Sequence, residues 1–285
     1  MKIALGTVQF GINYGVSNTS GQTSQNQIQQ IIELAKTASI TTIDTASAYG
    51  DAEARLGQCG LSSFKVVSKV KPITSQSNVN DYVTYDLDKT LKDLQLPAIY
   101  GLLLHNAQDF NHYPELTAIL KNKKAQGLVE KIGLSLYSPT QVSDEMLCFA
   151  DLVQIPVNIF DQRFIKTGVL DRLKSKNIEV HTRSAFLQGL LLMSEGDWPA
   201  YFNPIKPQLE QFHQLAKKLN ISPLSLALNY VINITQIDKV VVGINNLAQL
   251  EDILINIDNQ NYDIDFGEIS LQDERFINPA NWQIS

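Results

Sequence analysis

Short apolar runs alternate along the chain with longer stretches in which apolar residues recur at helical spacing. Eight runs read as strands: Ile3–Leu5, Thr42–Asp44, Lys65–Lys69, Ile99–Leu104, Lys131–Leu134, Leu152–Ile155, Glu179–Thr182 and Lys239–Val242. Their interiors are continuously apolar rather than alternating, the pattern of strands covered on both faces. Between them, Ile28, Ile31, Ile32, Ala35 and Ala38 make one stripe, and Val79, Tyr82, Val83, Leu87, Leu91 and Leu94 a second. Leu247, Leu250, Ile253, Leu254 and Ile257 make a third. Spacing of i, i+3, i+4, i+7 lays such residues along one helix face, ready to pack on a sheet. Ser24 and Asn78 stand where N-caps belong, and Gly127 stands where a helix would stop.

Strand followed by helix, eight times in 285 residues, predicts a (β/α)8 TIM barrel of the α/β class, formed as a single domain over residues 1–285. A doubly wound sheet is the competing arrangement. Its usual mark is G-x-G-x-x-G after the first strand, and Gly6-Thr7-Val8-Gln9-Phe10-Gly11 lacks that spacing. The stretches Gln108–Pro114 and Glu195–Pro207 are expected as long βα loops over a pocket. Residues 261–285 have no clear period and are expected as a tail wrapped over the barrel.

Composition narrows the partners. A net charge of -6 and a pI near 5.2 argue against a nucleic-acid partner. No apolar run approaches the roughly 20 residues that span a bilayer, and the start lacks a signal-peptide pattern. Cys59 and Cys148 are too few for a disulfide framework, so a cytoplasmic protein is expected, a monomer or weak homo-oligomer. His105, His112, His181 and His213 lie outside any H-E-x-x-H or C-x-x-C context, so no metal site is expected.

In a parallel barrel the C-terminal ends of neighbouring strands lie side by side. Asp44 and Tyr49 follow the second expected strand, Lys69 ends the third and His105 follows the fourth. A phenol is a weak proton donor at neutral pH, and a nearby ammonium lowers its pKa. Lys69 is placed to do this for Tyr49, with Asp44 as its counter-charge. His105 is placed to donate a hydrogen bond to a carbonyl oxygen. None of the four supplies a hydride, so a reduction needs a nicotinamide cofactor.

Asp44-Thr45-Ala46 with Tyr49-Gly50, then Glu53 and Leu56-Gly57, resembles the signature of the aldo-keto reductases, as do Lys69 and His105 at the next two strand ends. That family is a (β/α)8 barrel that reduces aldehydes and ketones. The resemblance runs from Ile3 to about Asp252. It implies Tyr49 as general acid, Lys69 as the group that lowers its pKa, Asp44 as partner of Lys69, and His105 as the substrate-orienting donor. It also implies NADP(H), with NAD(H) as the alternative. Gly6 and Thr7 would lie beneath the nicotinamide, with Asp44 beside it. Ser135 and Gln154 would bind the carboxamide, although Leu136 stands where an asparagine is usual. Arg183, Ser184, Phe186, Gln188 and Gly189 correspond to the segment that stacks on the nicotinamide and receives the pyrophosphate. Arg183 replaces an aromatic there, and it would stack on the ring or bind a phosphate or carboxylate of the substrate. Gly243, Asn245, Gln249 and Asp252 correspond to the segment around the adenosine 2′-phosphate. Gly243 and Gln249 replace a lysine and an arginine, which implies a weakened preference for NADPH over NADH.

The leading function is therefore NAD(P)H-dependent reduction of a small-molecule carbonyl. Phe10, Tyr14, Phe110 and Trp198 are expected to shape the pocket, and Asn106, Gln108 and Arg163 suggest a hydroxylated or sugar-like substrate. Two other readings stay open. One is a non-catalytic, cofactor-sensing barrel or regulatory subunit, motivated by Leu136, Arg183, Gly243 and Gln249. The other is a Schiff-base lyase using Lys69.

Overall fold

The first strand pairs with the second on one side and with the last on the other, and this closes the sheet. In the computed structural model, which describes residues 1–74, 78–257 and 265–284, eight parallel strands run in order round a closed barrel. They are β1 (Ile3–Gly6), β2 (Thr42–Asp44), β3 (Lys65–Val70), β4 (Ile99–Leu104), β5 (Val129–Ser135), β6 (Leu152–Pro156), β7 (Glu179–Arg183) and β8 (Lys239–Gly243). β1 aligns Leu5 with Ile43 of β2 and with Val242 of β8. The start of the expected tail, residues 261–264, and Ser285 lie outside the described residues.

The helical stripes cover the outside of this cylinder. Ser24 caps the helix Gln25–Thr37 by accepting from Gln27 N–H, and Asn78 caps Val79–Leu94 by accepting from Asp81 N–H. Their apolar faces, with Leu250 and Ile253 of the helix Leu247–Ile255, pack with the outward strand residues in the main core. Inside, Val67, Tyr100, Leu103 and Leu152 form their own cluster across the barrel. At the base, Tyr100 Oη donates to Glu179 Oε2 at 2.6 Å, His181 Nε2 lies 2.7 Å from Glu179 Oε1, and Lys131 also pairs with Glu179.

A second apolar cluster lies beside the barrel. Phe202, Leu209, Phe212 and Leu226 pack there with Phe276 and Ile277 of the tail. The stretch expected as a loop over a pocket, residues 195–207, belongs to this cluster as short helical turns leading into the helix Lys206–Lys218. The other expected pocket loop contains a helical turn, Gln108–His112.

Candidate active site

Asp44 and Lys69 are polar residues at the ends of otherwise apolar strands, and both are sealed, 3 % and 1 % exposed. Burying one charge alone is costly, so the two are held together. Lys69 Nζ donates to Asp44 Oδ1 and Oδ2 at 2.7 and 2.8 Å and to the Thr45 carbonyl at 2.8 Å. Gln154, in the middle of β6, donates to Asp44 Oδ1 at 2.7 Å. Burial lowers the Lys69 ammonium from its usual value, and the Asp44 carboxylate opposes that.

Tyr49 lies above this pair in the turn after β2. Its N–H donates to the Ala46 carbonyl, and Gly11 lies directly against its carbonyl. A Cβ on Gly11 would fall 1.7 Å from Tyr49 O, so no larger residue fits while the two backbones touch. The Lys69 ammonium is 5.3 Å from the centre of the Tyr49 ring, and the His105 ring meets it edge-on at 5.7 Å.

Among the described residues the Lys69 ammonium makes no hydrogen bond to the Tyr49 phenol. The ammonium commits its three hydrogens to Asp44 and Thr45. Burial, followed by the Asp44 carboxylate, pushes the Tyr49 phenol well above its ordinary value of 10. Tyr49 therefore holds its proton throughout the neutral range. His105 moves the other way. Burial, then the Lys69 and Arg183 charges, lowers its imidazole from 6.5 to about 3, so it is neutral at pH 7. Its Nδ1 is buried without a protein partner. The sealed, fully hydrogen-bonded ammonium also removes Lys69 as an accessible amine, which counts against the Schiff-base reading.

A cavity of about 490 Å³ opens from this cluster and runs across the barrel mouth towards β8. Asp44, Tyr49 and His105 line one part of it, with Gly6, Thr7, Ser135 and Gln154. Arg183, Ser184, Phe186, Gln188 and Gly189 line the wall after β7, and Gly243, Asn245, Gln249 and Asp252 line the far end. The residues expected to hold a dinucleotide therefore share one cavity. The buried atoms Gln9 Oε1 and Asn245 Oδ1 have no protein partner, and both residues line it.

Several wall residues were not singled out from sequence. Gln9 follows β1, Tyr137 lies two residues past β5, and Leu224 and Asn278–Ala280 come from the barrel's flank and tail. Position just past a strand end was the available signal for Gln9 and Tyr137. Tail residues carry no such mark.

Most of the expected substrate pocket lies elsewhere. Tyr14 lines the cavity and its Oη accepts from Gln188 Nε2 at 3.0 Å. Phe10 is fully buried in the core. Phe110 packs on Phe149 with ring centres 5.0 Å apart, and Trp198 packs on His213 at 5.6 Å. Asn106 binds Asp109 and the Gln108 N–H, which sets the turn Gln108–His112. Gln108 is exposed away from the cavity. Arg163 is tied to Asp161 and Glu274. Asn106 and Arg163 are thus engaged within the fold, and Gln108 is not among the residues that line the cavity.

Among the described residues, no helix is long and apolar enough to cross a membrane, and no group of three or more His, Cys, Asp or Glu is placed to hold a metal ion.

Comparison with solved structures returns barrels of the same kind. The chain is similar to PA4992 of Pseudomonas aeruginosa, assigned to the aldo-keto reductases, with 22 % identity and a TM-score of 0.66 over 90 % of this chain and 88 % of that one. It is similar also to the aldo-keto reductase AKR11C1 from Bacillus halodurans in its holo form, with 17 % identity and a TM-score of 0.75 over 92 % and 88 %. At these identities the likeness is one of fold. A comparison with curated proteins finds no match. The family model described as the Aldo/keto reductase family matches residues 2–270. That is nearly the whole chain, and the chain belongs to the aldo/keto reductase family.

Proposed function

We propose that this chain is an NAD(P)H-dependent reductase that converts an aldehyde or ketone to an alcohol, with residues 1–285 acting as one unit. The observation that carries the reading is the meeting of Tyr49 and His105 above the sealed Asp44–Lys69 pair, at one end of a long cavity. When bound, the dinucleotide supplies the hydride. The residues handle the proton and the geometry. In this reading Ser135 and Gln154, which line the cavity, hold the nicotinamide carboxamide, and Asn245 with the capped start of the helix Leu247–Ile255 meets the adenosine end.

Tyr49 gives its proton to the carbonyl oxygen as negative charge develops there. A phenol with a raised pKa keeps its proton at neutral pH and has it to give. His105, neutral between two cations, contributes a hydrogen bond to the same oxygen and does not compete for the proton. Lys69 and Asp44 fix the turn that carries Tyr49, and their ion pair adds a preorganised dipole beneath the reacting carbonyl.

The cofactor end supports a weak choice between NADH and NADPH. A side chain on Gly243 would place its Cβ 2.6 Å from Gln9 Nε2, so the Gln9 amide occupies that space. Gln249 Oε1 is taken up by Asn245 N–H at 2.8 Å, and Asp252 brings a carboxylate to the same end. Among the described residues that line this end, an adenosine 2′-phosphate finds no cation, whereas a ribose diol finds acceptors.

The test is a titration followed by turnover. NADH and NADPH should bind within about tenfold of each other, which is about 1.4 kcal/mol. A hundredfold tighter grip on NADPH refutes the assignment of the adenosine end. Tyr49→Phe should lower kcat for a good aldehyde by about 10²- to 10⁴-fold while dinucleotide affinity is kept. Persistent turnover in that variant would mean that another group donates the proton.

A further inference from the structure

Arg183 ends β7 and is the cationic side chain in the cavity wall. Its guanidinium stacks over the Tyr137 ring at 4.2 Å. One N–H group donates to the Leu136 carbonyl at 3.1 Å and another to Ser184 Oγ at 3.4 Å. A guanidinium has five N–H donors in a planar fork, so three remain for something else. Arg163, Arg172 and Arg275 each face a carboxylate, whereas Arg183 pairs with none among the described residues.

The charges around it leave its own uncancelled. Asp44 is neutralised by Lys69, His105 is neutral, and the phenols of Tyr14 and Tyr49 are protonated. Arg183 makes its field felt at Tyr14, Tyr49 and His105, the groups around the reacting carbonyl. The one acid at the far end of the cavity, Asp252, lies beyond the wall that follows β7. Among the residues lining the cavity, Arg183 supplies the cation and Asp252, on the helix that follows β8, supplies a carboxylate outside the Asp44–Lys69 pair. A held, half-buried guanidinium with free donors is suited to a bidentate contact with a carboxylate or phosphate oxygen pair.

We propose that Arg183 is a specificity-determining residue that receives an anionic group, carboxylate or phosphate, carried by the carbonyl substrate. The inference rests on the reductase reading above and narrows it to acidic aldehydes or ketones. Tyr137 positions the guanidinium by stacking and leaves its edge towards the cavity.

The experiment compares succinic semialdehyde and glyceraldehyde 3-phosphate with the neutral butanal and glyceraldehyde, using wild type, Arg183→Met and Arg183→Lys. Wild type should prefer an anionic aldehyde over its neutral counterpart. In Arg183→Met the anionic-to-neutral ratio of kcat/KM should fall about 10- to 150-fold, the worth of a charge-assisted contact, with partial recovery in Arg183→Lys. The more affected of the two anions identifies the group as carboxylate or phosphate. An equal loss on charged and neutral aldehydes overturns the inference and leaves the reductase reading standing. Absence of turnover on every carbonyl overturns the reductase reading. Calorimetry with succinate and with inorganic phosphate then decides the anion site independently. Binding to wild type that is lost in Arg183→Met upholds it, and binding that is absent or unchanged overturns it.

Discussion

His105 shows how much a single side chain depends on what surrounds it. Burial and the two cations Lys69 and Arg183 hold its pKa at about 3, against 6.5 for a free imidazole. Between these values the unfolded chain binds a proton that the folded chain refuses. Stability therefore rises with pH across this window and is lost progressively as pH falls from about 6.5 towards 3. Urea midpoints measured from pH 7 to pH 4 should decline, and His105→Gln should flatten part of that decline. An unaltered slope in the variant would mean that His105 is not the group responsible. The residue types around the carbonyl were legible from sequence because each sits at a strand end. The upward shift of the Tyr49 phenol was not, because it depends on burial and on the Asp44 carboxylate near it. Arg183 was visible as a departure from an aromatic, but its missing counter-charge appears only in three dimensions.

At the scale of elements, the strands were readable because both of their faces are covered, and β2 and β4 begin and end where their apolar runs do. The others extend by one residue, and β5 by two at its start and one at its end, with Ser135 and Arg183 among the residues that the ladder pairing recruits. Segments 108–114 and 195–207 were misread because their aromatic side chains pack sideways, Phe110 on Phe149 and Trp198 on His213. The turn that carries Tyr49 depends on a contact between two loops. Gly50 adopts φ of +59°, and Gly11 lies against the Tyr49 carbonyl. Gly11→Ala should push the turn outward by about an ångström and lower kcat by about 10²-fold, with the barrel retained. Circular dichroism alongside kinetics checks this, and unchanged turnover would show that the contact is dispensable.

Across the whole molecule, the two ends of the barrel are put to different uses. The base is closed by Glu179 with Tyr100, His181 and Lys131, while the mouth carries the cavity. The tail joins mouth to flank. Leu271 N–H donates to the Phe160 carbonyl at 2.8 Å, Trp282 packs on Phe202 at 4.9 Å, and Asn278–Ala280 reach the cavity wall. Arg163 ties that tail down by linking Asp161 to Glu274. Arg163→Met would strand the buried Asp161 carboxylate and should destabilise the fold by about 3–5 kcal/mol. Urea unfolding measures it. A loss under about 1 kcal/mol would place the pair with ordinary surface bridges.

One arrangement ties chemistry to architecture. The ammonium of Lys69, the carboxylate of Asp44 and the amide of Gln154 form a cross-tie between β2, β3 and the opposite strand β6. The same atoms that would serve the reaction also fill the upper bore of the cylinder. A descendant that dropped Asp44 or Lys69 alone would be left with a stranded ion at its centre. Retirement of this reaction, in any lineage that keeps the barrel, has to proceed by exchanging the set together.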